Sequence, residues 1–300
     1  MLIIGNKYKF TDLDKKKLKC YNVEYIEADK DIIKNKLSEK KYKHIILNID
    51  KDLKKEMMEI VTNYKLESVE IFEIEYFLEK YLQKIYIPSN KDEIIDWTDS
   101  IKPFSKWQYI QKKIIDLIIS IPLVICSSPV ILYSMYRIKK ESPEGEIIFK
   151  QKRVGLNGKE YVCYKFRSMV PNAEKGKPQF TSKNDPRVFK WGAFMRKTRI
   201  DELPQLWNVF KGNMHLIGPR PERKYWVNQF KKSIPLYDKR HLIKPGITGW
   251  AQINYPYGND EEDARQKLMY DLYYIKNWSL WLEMKIVFKT AWIVLKRDGI

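Results

Sequence analysis

The sequence predicts an α/β chain in two parts. A small N-terminal α/β domain is followed by a mostly helical α+β domain that opens with a re-entrant membrane helix. Three observations predict this. Short apolar runs alternate with amphipathic stretches over the first 88 residues. A run of twenty residues, Leu117 to Tyr136, carries no charge. From residue 141 onward, strand, turn and helix signals follow one another without repeats or low-complexity tracts.

In the N-terminal part the apolar runs are Leu2–Ile4, Val23–Ile26, His44–Ile49 and Val69–Phe72. Between the last two, Leu53, Met57, Ile60, Val61 and Tyr64 fall on one helical face. Such alternation predicts βαβ units and a parallel sheet, here a small Rossmann-like domain over residues 1–90. A helix over Glu75–Leu82 closes it. Gly5 is the glycine available after the first strand, and no Gly-x-Gly-x-x-Gly loop exists. This argues for a structural or regulatory role over dinucleotide binding. A polar stretch with Pro88, Ser89, Asn90 and Pro103 places a linker at 91–106.

Composition narrows the partners. Lys and Arg number 56 against 38 Asp and Glu, a net charge of +18. That excess suits anionic partners: nucleic acid, anionic lipid or phosphorylated small molecules. Twenty Tyr and nine Trp beside so many cations suit a membrane interface or a nucleic-acid surface. Cys20, Cys126 and Cys163 form no disulfide framework and no zinc pattern, which predicts a reducing, cytoplasmic setting. No secretory signal is expected from the first residues, which read as a strand.

The uncharged run sits in residues 107–140 and is long enough to span a bilayer. Pro129 removes an amide donor and crowds the preceding turn, so a break is expected at Ser128–Pro129. Serines there can serve the carbonyls that the break releases. Lys112 and Lys113 precede the run, and Arg137, Lys139 and Lys140 follow it. Both ends therefore prefer the cytoplasm. A helix–break–helix that dips in and returns satisfies both. Asp116 is out of place in such a segment. It is expected to pair with Lys112 or Lys113, or to start the helix at the interface.

Residues 141–300 read as a cytoplasmic domain. Glu146–Lys150 and Tyr161–Phe166 are predicted strands joined by the turn Gly155-Leu156-Asn157-Gly158. Asp201-Glu202-Leu203-Pro204, running to Gly212, outlines a helix with acids in front and glycine at the end. The Trp278–Leu295 stretch alternates apolar groups with lysines. It fits either an interfacial helix or an ordinary core helix.

Asp201-Glu202 is the candidate for chemistry. Two acids at a helix start commonly cap it. Their neighbours add more: Arg196, Lys197 and Arg199 upstream, and the rigid Pro219-Arg220-Pro221 downstream. A carboxylate can attack phosphorus when cations neutralise the phosphate. Adjacent acids offer one nucleophile and one oxygen ligand for Mg²⁺, with Mn²⁺ as a substitute. Lys165 and Arg167, at a predicted strand end, are further candidate phosphate binders. Pro245–Trp250 is a turn-rich loop that either stacks a base or folds a corner.

Several of these segments, in order, resemble the bacterial sugar transferases, specifically the monotopic polyprenyl-phosphate phosphoglycosyl transferases. They include Lys112-Lys113 with Asp116, Ser128-Pro129, Lys165-Phe166-Arg167-Ser168-Met169, Asp201 through Leu206, Gly218 through Pro221, and Pro245 through Gln252. The resemblance covers about Lys112 to Ile300. Tyr255-Pro256-Tyr257-Gly258 and Tyr270 through Asn277 are similar to the exopolysaccharide branch. The family's usual Lys-Arg-x-Phe-Asp opening is Lys112-Lys113-Ile114-Ile115-Asp116 here. The resemblance implies a UDP-sugar donor, a polyprenyl phosphate acceptor and a sugar-phosphoryl-aspartate intermediate on Asp201, with release of UMP. It further implies Glu202 as the Mg²⁺ ligand, and Arg196 and Arg220 as phosphate binders. The expected place is the cytoplasmic face of a bacterial inner membrane, in contact with its lipid and without nucleic acid. A homodimer is the assembly carried as an expectation. The donor leans towards UDP-glucose or UDP-galactose. A different class remains as the competing expectation: a basic peripheral protein that binds nucleic acid or anionic lipid without catalysis.

Overall fold

The four apolar runs of the N-terminal part become four parallel strands. In chain order these are β1 (Leu2–Gly5), α1 (Asp12–Leu18), β2 (Glu24–Ile26), α2 (Lys30–Glu39), β3 (His44–Asn48), α3 (Lys51–Asn63), β4 (Glu70–Glu73) and α4 (Ile74–Phe77). The strand order is β2-β1-β3-β4. Alternate side chains explain the layering. Leu2, Ile4, Ile45 and Leu47 share a core with Ile33 and Leu37 of α2 and with Met57 and Val61 of α3. Ile3 and Ile46, one residue out of phase, are just as buried, as a parallel sheet with both faces covered requires. The helix expected over 75–82 is α4 running into a π-helical turn, Leu78–Leu82. The wholly buried Asp14 and Lys84 form an ion pair at 2.7 Å that fastens α1 to the chain after this turn.

The structure is a computed structural model that describes residues 1–19, 22–39, 42–49, 51–63, 69–88, 99–173, 185–255, 258 and 260–296. Two compact units comprise residues 1–94 and 95–300. Residues 91–98 of the expected linker, together with Cys20, Tyr64, Ser89, Asn90, Pro256 and Tyr257, lie outside the described residues.

The second unit opens with α5 (Lys106–Glu141), a single helix of 36 residues where two helices and a break were expected. Its start is fixed by a capping box: Gln108 N donates to Ser105 Oγ, and Ser105 N donates to Gln108 Oε1. Helical backbone continues through Pro122 and Pro129. Pro129 cannot donate to the carbonyl of Ile125, four residues back. Ser128 Oγ donates to that carbonyl instead, at 2.8 Å, so the anticipated serine repair occurs within an unbroken helix. One face of α5 carries Lys112, Asp116, Ser120, Ser134 and Ile138, all buried. The rest is apolar and open; Ile118 and Ile125 are about two-thirds exposed, at 65% and 66%. Both ends of α5 pack on the same unit. Near its start, Lys112 and Asp116 reach Glu283 and His215. Near its end, Ile138 joins Phe166 and Met195 in a core cluster.

The remaining elements are β5 (Ile148–Val154), β6 (Glu160–Phe166), α6 (Lys190–Thr198), α7 (Gln205–Phe210), β7 (His215–Ile217), α8 (Lys224–Ser233), β8 (Gly246–Thr248), α9 (Trp250–Asn254), α10 (Glu261–Lys276) and α11 (Leu280–Leu295). β5 and β6 form the anticipated hairpin, turned by Asn157 and Gly158 at positive φ. β7 and β8 pair in parallel. Trp250 is buried, stacked on Tyr273 and capped by Lys285 Nζ 5.0 Å from its ring. The loop at 245–250 thus folds a corner; its aromatic is not presented for base stacking. α11 in the C-terminal stretch has one buried face and one exposed apolar face. Leu282, Glu283 and Ile286 face inward, whereas Trp281 and Phe288 are 80% and 68% exposed.

A buried polar knot joins α5 to α10, α11 and β7. Lys112 Nζ donates to Asp116 Oδ1 at 2.7 Å and to Glu283 Oε2 at 2.9 Å. Asp116 Oδ2 lies 2.5 Å from His215 Nδ1, and Leu216 N donates to Asp116 Oδ1. Tyr274 and Trp278 both donate to Glu283 Oε1. The pairing of Asp116 with Lys112 was one of the sequence expectations. The role of Lys112 as a free flanking cation is corrected: it is wholly buried between two carboxylates, and only Lys113 of the two is exposed.

Candidate active site

Asp201 and Glu202 sit on a 3-10 turn, Ile200–Glu202, ahead of α7 rather than in its first turn. Pro204 explains the difference. It has no N–H for the carbonyl of Ile200, so the α-helical bond that would start the helix there is missing. The turn closes instead by Leu203 N to Ile200 O at 3.1 Å. Upstream, Arg199 ends α6 in the left-handed conformation, at φ 60°. That reversal brings the acids back beside the last turn of α6, which carries Arg196. α7 is pinned to β6 by Asn208, which is wholly buried. Its Oδ1 accepts from Tyr164 N at 3.0 Å, and its Nδ2 donates to Val162 O at 2.7 Å. Asn208 went unremarked in the sequence; an amide at an inward position of an apolar helix was its only signal.

The two acids have different surroundings. Glu202 Oε1 accepts from Lys165 Nζ at 3.0 Å and from Arg220 Nη2 at 2.9 Å. Burial pushes the Glu202 carboxyl up, but Arg220 and Lys165 outweigh it and hold it well below the usual range. Asp201 is half-buried, with Oδ1 sealed from solvent and without a hydrogen-bond partner among the described residues. Burial and the adjacent Glu202 charge push its carboxyl up to about 6, against the pull of Lys165, Arg196 and Arg199. One acid is therefore held ionised and tethered, and the other is left with an untethered oxygen.

The structure gathers Lys165, Asp201, Glu202 and Arg220, with Arg196 close enough to act on Asp201 electrostatically. Arg167 differs from the expectation of a substrate-binding group. Its guanidinium is buried and spent on Ser142 Oγ and O, Glu146 O and Met169 O. It ties the end of β6 to the chain leaving α5.

No cluster of three or more His, Cys, Asp or Glu groups suited to a metal occurs among the described residues. The two neighbouring carboxylates do fit a hard cation such as Mg²⁺. They supply oxygen donors, one of them a buried oxygen without a partner. Mg²⁺ takes few protein ligands and fills its remaining positions with water and phosphate.

One long, largely exposed apolar helix, packed at both ends on a unit that sets two adjacent acids among cations, is the class of arrangement to compare with known proteins. Residues 107–297 match the family described as bacterial sugar transferase, and the chain belongs to that family. Over 252 residues it is 40% identical to a UDP-N-acetylgalactosamine-undecaprenyl-phosphate N-acetylgalactosaminephosphotransferase of Aeromonas hydrophila, covering 83% of this chain and 58% of that protein. That match is longer than the unit 95–300, so it continues into the N-terminal unit. An undecaprenyl-phosphate galactose phosphotransferase of Salmonella typhimurium is 38% identical over 203 residues, covering 63% of this chain and 41% of that protein. A UDP-glucose:undecaprenyl-phosphate glucose-1-phosphate transferase of Escherichia coli is 42% identical over 192 residues, with coverages of 63% and 41%. The chain thus spans about two-fifths to three-fifths of the length of these relatives.

Proposed function

We propose that this protein transfers a sugar-1-phosphate from a UDP-sugar to polyprenyl phosphate, through a covalent sugar-phosphoryl intermediate on Asp201. The observation that carries this reading is the contrast between the acids: Glu202 tied to two cations, Asp201 with a buried oxygen free of hydrogen bonds. A nucleophile needs such an oxygen, and a pair of carboxyls pushed apart in acidity marks a division of roles. In the first step an Asp201 oxygen bonds to the sugar-linked phosphorus, and the bond to the UMP oxygen breaks. In the second, a polyprenyl phosphate oxygen attacks that phosphorus, freeing the Asp201 carboxylate and forming a polyprenyl diphosphate sugar. Lys165 and Arg220 neutralise charge on the phosphates, and Arg196 binds the donor's phosphate from the end of α6.

Mg²⁺, when bound, supplies Lewis-acid neutralisation of phosphate oxygens, and Glu202 would hold it. Chelation with EDTA should then lower UMP release by at least about tenfold, with Mg²⁺ restoring it and Mn²⁺ able to substitute. Full activity in excess chelator would remove the metal from the reading.

Membrane association follows the same line. α5 returns both ends to one unit and leaves its middle apolar, which suits a helix that dips into one leaflet rather than crossing. The exposed Trp281 and Phe288 of α11 suit the interface beside it. The cytoplasmic face of a bacterial inner membrane is the surface where UDP-sugars are met. High salt should leave the protein in the membrane fraction, and detergent should release it. Release by salt alone would reduce the association to electrostatics.

The three relatives are named for N-acetylgalactosamine, galactose and glucose, so UMP release from the three matching UDP-sugars is the first comparison to make. A passive anion-binding surface, the competing reading, has no use for a carboxyl oxygen that is buried among cations and has no hydrogen-bond partner among the described residues.

A further inference from the structure

The Pro219-Arg220-Pro221 loop is held in a way its sequence does not announce. Two of its three residues have no N–H, so its backbone is held chiefly through its carbonyls. Four successive carbonyls are gripped from outside. Gly246 N donates to Pro219 O at 2.9 Å, and Val154 N donates to Glu222 O at 2.9 Å. Between them, Arg240 Nη2 donates to Arg220 O at 3.0 Å, and Arg153 Nη1 donates to Pro221 O at 3.2 Å. The Gly246 contact is close enough that a Cβ there would lie 2.0 Å from Gly218 N. Arg240 is itself fixed. Its Nη2 also donates to Asp271 Oδ2 at 2.9 Å, its Nη1 donates to Tyr237 Oη at 2.8 Å, and all three side chains are buried.

We infer that Arg240, clamped by Asp271 and Tyr237, is a positioning residue that aims the Arg220 guanidinium at Glu202 and the donor phosphate. Arg153 completes the grip from the β5 side. The chain of contacts is continuous: Asp271 to Arg240, Arg240 to the Arg220 carbonyl, and the Arg220 guanidinium to Glu202 Oε1 at 2.9 Å. Arg240 makes its grip with a planar fork, which a lysine cannot reproduce. Asp271 lies in the Tyr270–Asn277 segment, and this assigns that aspartate a part in the site although it lies away from both acids in sequence. The inference rests on the transferase reading for its catalytic consequence and not for the grip itself.

Two measurements on the full chain in detergent test it. In the first, UMP release is followed with undecaprenyl phosphate and whichever of the three UDP-sugars the wild type turns over. Arg240→Gln should lower kcat/KM about 10- to 100-fold, the scale expected when a catalytic group is displaced by about an ångström. Arg220→Ala should lose at least as much. In the Arg220→Ala background, Arg240→Gln should cost no more than about threefold further, because residues acting as a unit are not additive. Losses that multiply would overturn the inference, as would an Arg240→Gln enzyme of wild-type activity. Tyr237→Phe, which removes one hydrogen bond and keeps the ring, gives the same comparison if Arg240→Gln fails to fold. Arg240→Lys should fail to rescue. In the second, amide hydrogen exchange in Arg240→Gln should quicken for peptides covering 218–222 and 245–248 and stay unchanged over β6 and α7. Unchanged or uniformly faster exchange would overturn the grip. Absence of UMP release by the wild type would count against the transferase reading, and exchange alone would then decide this one.

Discussion

Asp201→Asn is expected to lower turnover by on the order of 10⁴-fold or more, the scale of losing an enzyme nucleophile. It should also abolish labelling of the protein by a UDP-sugar radiolabelled in the sugar. The same substitution is expected to leave the fold intact and to raise its thermal midpoint at pH 8. The sign follows from the acidity of Asp201. Its native carboxyl is pushed up to about 6, above the ordinary carboxylate range. At pH 8 it is therefore ionised at a cost that the unfolded chain does not bear. Asparagine removes that charge and its repulsion by Glu202. The measurements are single-turnover UMP release, protein labelling and thermal unfolding of one preparation. A variant that still accumulates labelled protein would place the nucleophile elsewhere; one that releases UMP normally without labelling would remove the covalent step.

Lys112→Met is expected to have the largest effect on stability, about 3–5 kcal/mol. Removing this ammonium strands Asp116 and Glu283, two buried carboxylates that both lean on it. The neighbouring Lys113→Met should change stability by less than about 0.5 kcal/mol, because Lys113 is exposed. Thermal unfolding of both variants in the same detergent checks the contrast. Equal effects would mean that the knot is not what holds α5 to α10 and α11.

The pair of adjacent lysines illustrates what the sequence could and could not convey. Apolar runs bounded by turn signals carried the parallel strands and the β5–β6 hairpin, because a strand buried in a sheet needs a short continuous apolar stretch. The uncharged run identified α5, but charge flanks read Lys112 and Lys113 as equals. Which one turns inward depends on Glu283, 171 residues away, and no local pattern encodes that distance. The site divides in the same way. Asp201, Glu202, Lys165 and Arg220 were legible as acids and cations near turn signals, and they do meet. Arg167 was legible too, yet its position at the exit of β6 puts three backbone carbonyls and a hydroxyl within its reach. Arg153 and Arg240 carried no local signal, and Asp271 was marked only by the resemblance of its segment, since their partners are backbone carbonyls and side chains brought close only by the fold. The expected helix over 201–212 was displaced by Pro204, whose effect on the ladder reaches back to Ile200.

The two prolines of α5 also have a phase. Pro122 leaves the carbonyl of Ile118 without its helical donor, and Pro129 does the same to Ile125. These carbonyls are seven residues apart, two turns, so the two gaps in the ladder lie on one side of the helix. Ile118 and Ile125 have nearly equal exposure, which places that side outward. A helix bends away from its proline face, and bends two turns apart add rather than cancel. Bending at the two prolines is therefore favoured in one shared direction, with the convex side outward.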